Sequence, residues 1–121
     1  MQPNPSNLPP QAQEMIEELQ ERKKQLQQIN EQRNRFKFEQ KRTEKALEAI
    51  NNAEEEKEVF KVVGPVGIKS TQKELKEELS EDKDKIEAKL SSMGKKEEKI
   101  REEAEGKQQK LREIMSGGKT K

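Results

Sequence analysis

The residues of this chain that come nearest to a metal site are Asp82-Lys83-Asp84 and the run Glu54-Glu55-Glu56, and Gly64-Pro65-Val66-Gly67 comes nearest to a phosphate loop. Each fails on its chemistry. A calcium loop spaces oxygen ligands around a glycine that makes a sharp turn. Here lysines interleave with the acids and no such glycine follows, so both acidic runs read as solvated faces. A phosphate loop ends in Gly-Lys-Ser/Thr and opens a helix. Gly67 is followed by Ile68-Lys69, so that segment reads as a turn. Lys95-Lys96 and Arg22-Lys23-Lys24 lie beside acidic residues, and residues 71–121 hold 14 basic groups against 13 acidic ones. Nucleic acid favours a one-sided basic stripe, which is not evident. The absence of Cys and His removes zinc-type centres, thiol nucleophiles, disulfides and imidazole acid–base chemistry. Phe36, Phe38 and Phe60 are the only aromatic residues, too few for a base-stacking platform. The expectation is a protein that is not an enzyme, with no catalytic residue, no cofactor and no metal.

Function must therefore lie in apolar contacts, and the elements that place them follow from composition and period. The chain has 121 residues, 26 Lys+Arg, 25 Asp+Glu and 26% hydrophobic residues, where a compact domain carries about 45–50%. Ala, Glu, Lys, Arg and Leu make up about half of it, a composition that marks long helices when it is periodic. No apolar run is long enough for a membrane span or a signal-peptide core, which points to a soluble, cytoplasmic protein.

All five prolines fall outside two long stretches. From Leu8, steps of four and three land on Ala12, Met15, Leu19, Arg22, Leu26, Ile29, Arg33, Phe36, Gln40, Thr43, Leu47 and Ile50. Nine of these 13 positions are apolar, so the stretch carries a coiled-coil seam. The second stretch gives Gln72, Leu75, Leu79, Asp82, Ile86, Leu90, Met93, Glu97, Ile100, Ala104, Lys107, Leu111 and Ile114, with a four-residue stutter at Ile86–Leu90. Pro10 suits a first helical turn, Thr71 and Glu74 form a capping-box pattern, and Gly117-Gly118 marks an end. Gly94 and Gly106 each cost about 1 kcal/mol relative to Ala, so the distal half of the second helix should be its softer half. Folding one seam back on the other pairs Leu47 with Leu75 and Leu8 with Ile114, and sets Gln40 opposite Asp82 as a polar layer. The fold expected is mostly α: an antiparallel coiled-coil hairpin about 65 Å long with a short β-hairpin between its helices. The segments are a flexible N-terminus 1–9, helix 1 at 10–52, a connector with the β-hairpin at 53–70, helix 2 at 71–115 and a flexible C-terminus 116–121.

Two regions carry more apolar surface than two helices can bury. The first is the connector, where Val59 to Val63 is β-branched and aromatic, Gly64-Pro65 punctuates it, and Val66 to Ile68 resumes. A two-stranded hairpin is marginal alone, so Val59, Phe60, Val62, Val63, Val66 and Ile68 are expected to form an oligomerisation surface completed by strands of other chains. The second is the far end of the helix pair, where Leu8, Ala12, Met15, Ile16 and Leu19 meet Leu111, Ile114 and Met115. An ordinary seam with frayed ends is one reading. The other is an adaptable, Met-containing patch that tolerates varied partners.

The segment Val59-Phe60-Lys61-Val62-Val63-Gly64-Pro65-Val66-Gly67-Ile68-Lys69 between equal helices resembles the prefoldin family, specifically its β-type subunit. Leu8-Pro9-Pro10-Gln11 and Lys45-Ala46-Leu47-Glu48 support the resemblance, which is nearer to archaeal than to eukaryotic members. Gly67 departs from it, since the family usually has a larger apolar residue there, and Lys57 interrupts the acidic approach to the hairpin. The resemblance implies a hetero-oligomeric chaperone, a hexamer of two α-type and four β-type subunits whose hairpins build a β-barrel body. It implies an ATP-independent holdase whose coiled-coil tips take unfolded client proteins, at Leu8, Ala12, Met15, Ile16, Leu19, Leu111, Ile114 and Met115 here, and pass them to a group II chaperonin. Neither nucleic acid nor membrane is an expected partner. The competing reading is a non-catalytic antiparallel coiled-coil spacer or an RNA-binding arm.

Overall fold

The computed structural model describes residues 8–117. Helix α1 spans Pro10–Asn51, strand β1 Val59–Val63, strand β2 Val66–Ser70 and helix α2 Gln72–Met115. The fold is mostly helical, two long helices packed against each other with an antiparallel two-stranded hairpin between them. The N- and C-terminal ends expected to be flexible lie largely outside the described residues, as does Gly118.

Local chemistry sets the element ends. Pro10 opens α1, and the first helical bond runs from the Gln13 N–H to the Pro9 carbonyl at 3.1 Å. Thr71 caps α2: its hydroxyl oxygen accepts from the Glu74 N–H at 3.1 Å, which satisfies one of the four orphan donors of the helix start. Only half of the expected capping box forms, because the Glu74 carboxylate accepts from the Ser70 hydroxyl at 3.4 Å. Gly117 ends α2 with φ of 77°, the left-handed conformation that a residue without Cβ adopts freely. Its N–H donates to the Ile114 carbonyl at 3.2 Å. Between the strands, Gly64 has φ of 56° and Pro65 follows with its fixed negative φ. A positive-φ glycine at the first central position is the pattern of the II′ hairpin turn, whose twist matches that of the strands.

The chain divides into two compact units, residues 1–32 with 93–121 and residues 33–92. In the first, Ala12, Ile29 and Ile100 are buried. Arg22 Nε bonds Glu103 Oε2 across the helices at 3.0 Å, and the Lys107 ammonium bonds the Glu18 carboxylate. In the second, Leu75 and Ile86 are buried. Gln72 Nε2 donates to the carbonyls of Glu54 at 2.7 Å and Lys57 at 3.1 Å, strapping the connector to the start of α2.

Every α1 seam position from Leu8 to Ile50 is buried or half-buried, as the heptad rhythm requires. The α2 seam departs at one point. Asp82 is exposed and Lys83 half-buried, so the consecutive four-residue steps are Leu75–Leu79–Lys83 and the stutter lies earlier than Ile86–Leu90. The Gln40–Asp82 polar layer accordingly does not form. A lysine can lie along the seam by its aliphatic stem and leave its ammonium in water, whereas a seam aspartate would bury its carboxylate. Arg22 pairs with Glu103, while Glu97 meets Arg101 one turn on at 2.8 Å.

Candidate functional site

The antiparallel register of the hairpin pairs Val59 with Ser70, Phe60 with Lys69, Lys61 with Ile68, Val62 with Gly67 and Val63 with Val66. Cross-strand partners share a face, and successive residues alternate. One face therefore carries Val59, Val63, Val66 and Ile68 with Lys61 and Ser70, and the other carries Phe60 and Val62 with Lys69. Neither face is polar. Phe60, Val62, Val63, Val66 and Ile68 are all exposed, and only Val59 of the expected oligomerisation residues is half-buried. Val62 is the most exposed at 76%. Its cross-strand partner is Gly67, which has no side chain to lean against it, and nothing lies within 4 Å of where a Gly67 Cβ would be. Gly67 has no positive φ, so its lack of a side chain answers no backbone demand. With only two strands, each also has one edge of N–H and C=O groups with no ladder partner. Lys61 Nζ reaches Glu78 of α2 at 3.0 Å and Lys69 Nζ reaches Glu58 at 3.3 Å, both at the surface, where such pairs orient more than they stabilise.

The helix ends of the first unit look different. Of the residues assigned to client contact, Met115 is exposed at 44%, Leu8, Met15, Ile16, Leu19, Leu111 and Ile114 are half-buried, and Ala12 is fully buried. Ala12 therefore cannot touch a client while the helices stay packed; its small side chain lets them approach. Ile16 lies off the seam yet is half-buried, which broadens the apolar band to a second row beside Met15 and Leu19. Glu18 and Lys107 close this end on one flank. The Lys107 ammonium, hydrogen-bonded to the Glu18 carboxylate, holds that carboxyl below its ordinary pKa, with the charges of Lys107 and Arg22 acting the same way and desolvation opposing them.

Asp82 and Asp84 are exposed, and no group of three or more His, Cys, Asp or Glu residues that could hold a metal occurs among the described residues. No helix among them is long and apolar enough to cross a membrane. In the second unit, an open groove of about 480 Å³ runs along the helix pair over Thr43, Ala46, Leu79 and Ile86, rimmed by Arg42 and Lys85. Sequence reasoning passed over Phe38, which is 64% exposed. The signal was available: Phe38 stands two residues after the seam residue Phe36, on a helix whose seam it does not join.

Comparison with known proteins turns these surfaces toward a definite family. The family described as prefoldin subunit matches this chain over residues 13–118, both helices and the hairpin between them. The chain is 35% identical over 109 residues to a prefoldin subunit beta of Archaeoglobus fulgidus, covering 90% of this chain and 94% of that protein. It is 31% identical over 109 residues to the corresponding protein of Pyrococcus abyssi, covering 90% and 93%. Among solved structures, the crystal structure of the prefoldin beta subunit from Thermococcus strain KS-1 superposes with a TM-score of 0.80 at 28% identity, covering 87% of this chain and 92% of that one.

Proposed function

Since the chain belongs to the prefoldin family, as a β-type subunit and so as part of a chaperone, we propose that it is an ATP-independent holdase acting in the cytoplasm. The family forms hetero-oligomers of prefoldin subunits. In the proposed assembly, two α-type and four β-type chains contribute hairpins to a shared β-barrel body, and Val59, Phe60, Val62, Val63, Val66 and Ile68 become buried between chains. Unfolded clients are held at the helix ends by Leu8, Met15, Ile16, Leu19, Leu111, Ile114 and Met115, with Ala12 supporting from beneath, and are then released to a group II chaperonin. The observation that supports this reading is the family match over residues 13–118, which spans the hairpin and most of both helices.

The mechanism needs no catalysis. Apolar burial stabilises by roughly 25 cal/mol per Å², so one helix end with only Met115 and the flanks of half-buried neighbours exposed binds a client weakly. Several such ends on one body raise the effective concentration and convert weak contacts into useful retention. Because each contact is weak, a competing acceptor can take the client without any nucleotide-driven step.

The test is light scattering of a chemically denatured client diluted into the assembled protein. Deleting residues 1–16 together with 107–121 should leave the oligomer intact and abolish protection, with ATP making no difference. A truncated assembly that protects the client as well as the full chain does would move the holding surface away from the helix ends.

A further inference from the structure

Seven large apolar side chains stand exposed among the described residues. Five belong to the hairpin and one, Met115, to the client-contact end, which leaves Phe38 with no part in either surface. A single exposed apolar residue is ordinary on a protein surface. What sets Phe38 apart is its surroundings. On a helix, residues three and four away are neighbours, and for Phe38 these include Arg35, Lys41 and Arg42, with Lys45 one turn beyond. All four are exposed, and none of them forms an ion pair among the described residues. Residues 33–42 hold five basic groups and one acidic group, in a chain whose net charge is only +1. Arg42 also stands on the rim of the groove of about 480 Å³, whose floor includes Ala46, Leu79 and Ile86. Phe38, Arg35 and Lys41 do not line that groove; Arg42, one helical turn from Phe38, belongs both to the aromatic and cationic patch and to the groove rim.

We propose that Phe38, Arg35, Lys41 and Arg42 form a docking site for an acidic segment of another polypeptide, with carboxylates on the cations and an aliphatic side chain beside Phe38 or in the adjoining groove. The charge of the patch selects an acidic partner, since none of its cations is ion-paired among the described residues. The apolar parts select a polypeptide over a nucleic acid. Phe38 is a single ring, too little for a row of stacked bases. The site is separate from the client-contact end and does not depend on the holdase reading.

The experiment uses the assembled full-length protein and a fluorescently labelled synthetic peptide, glutamate-rich with a leucine at every fourth position, followed by anisotropy at low and moderate salt. The peptide should bind at low salt and weaken as salt rises. Phe38→Ser should weaken it by about fivefold or more, as loss of an anchor does, and Arg35→Gln with Arg42→Gln should weaken it by about tenfold. A polyglutamate peptide without leucines should bind less tightly than the leucine-containing one. Phe38 and both arginines are exposed, so circular dichroism of the variants should match the parent. The proposal is overturned if the parent does not bind the peptide or if the variants bind it as tightly. It is also overturned if a single-stranded oligonucleotide of equal charge binds more tightly at the same residues, which would make the patch a nucleic-acid site. A change in sedimentation for Phe38→Ser would mean that a neighbouring subunit covers the ring, and a loss of client protection would make Phe38 part of the holding surface. Either result overturns the proposal.

Discussion

The hairpin and the paired helix ends are both richer in apolar residues than their surroundings, but they dispose of that surface in different ways. In the hairpin the apolar side chains stand on both faces of a two-stranded ladder, and five of them remain exposed. At the helix ends the seam packs against itself, Ala12 disappears completely, and Met115 alone of the apolar residues assigned to client contact remains exposed. The difference lies in the elements. A helix concentrates its apolar residues on one stripe, which a second helix can cover, whereas a strand alternates between two faces and needs a layer on each. A two-stranded ladder with apolar residues on both faces leaves them uncovered by the other strand, which is why the proposed function gives the hairpin to assembly. A helix pair needs a partner only for the margin of its stripe, which suits a contact that is made and released.

Four experiments would break or sharpen that contrast. The largest effect is expected for Phe60→Asp, which places a carboxylate where the assembly would bury a ring. Burial of an unpaired charge costs several kcal/mol, repeated at every copy, so sedimentation should show dissociation while circular dichroism still reports helices. A complex of unchanged size would remove Phe60 from the interface. Next, Met115→Asp should leave the sedimentation profile unchanged and reduce client protection several-fold, because only one exposed contact per chain is lost. Equal protection would show that the half-buried neighbours suffice.

A smaller change is expected for Gly106→Ala. Gly106 is exposed, has ordinary helical φ, and nothing lies within 4 Å of the added Cβ. The substitution should stabilise by about 0.5–1 kcal/mol and slow amide exchange in the last turns of α2 without slowing it in the hairpin. Slowing in the hairpin would mean that the two regions open together. The smallest effect is that of pH on Glu18. Its carboxyl is held below its ordinary pKa in the folded protein, so the Lys107 contact contributes above that ordinary value and is lost as pH falls through the lowered one. Glu18→Gln should therefore flatten the acid limb of the thermal stability profile slightly and leave stability near neutral pH almost unchanged, since the pair is solvent-accessible. An unaltered acid limb would show that the tie carries no stability.

Much of this molecule was legible as pattern. The seam of α1 follows from spacing alone, because a 3.5-residue period names the inward face wherever the helix packs. The Thr71 cap, the Gly117 terminus and the Gly64-Pro65 turn were equally legible, since each depends on residues within a few positions of one another. The surplus of apolar residues in residues 59–68 also announced an exposed apolar surface, because no pattern of two strands can bury both faces.

Other features belong to the tertiary structure. Spacing could not choose between Asp82 and Lys83 for one seam position. The choice fell to the lysine because its long stem can cross the seam and still reach water. Spacing offered Ala12 as a contact residue, but close helix approach buried it and left Met115 as the exposed member. The pairing of Val62 with Gly67, which makes Val62 the most exposed of the large apolar side chains, follows from the strand register and so from where the turn closes. Period and capping are short-range properties that a single stretch of chain contains in full. Which of two adjacent side chains is covered depends on the shape of the element packed against it, and that shape exists only once the chain has folded.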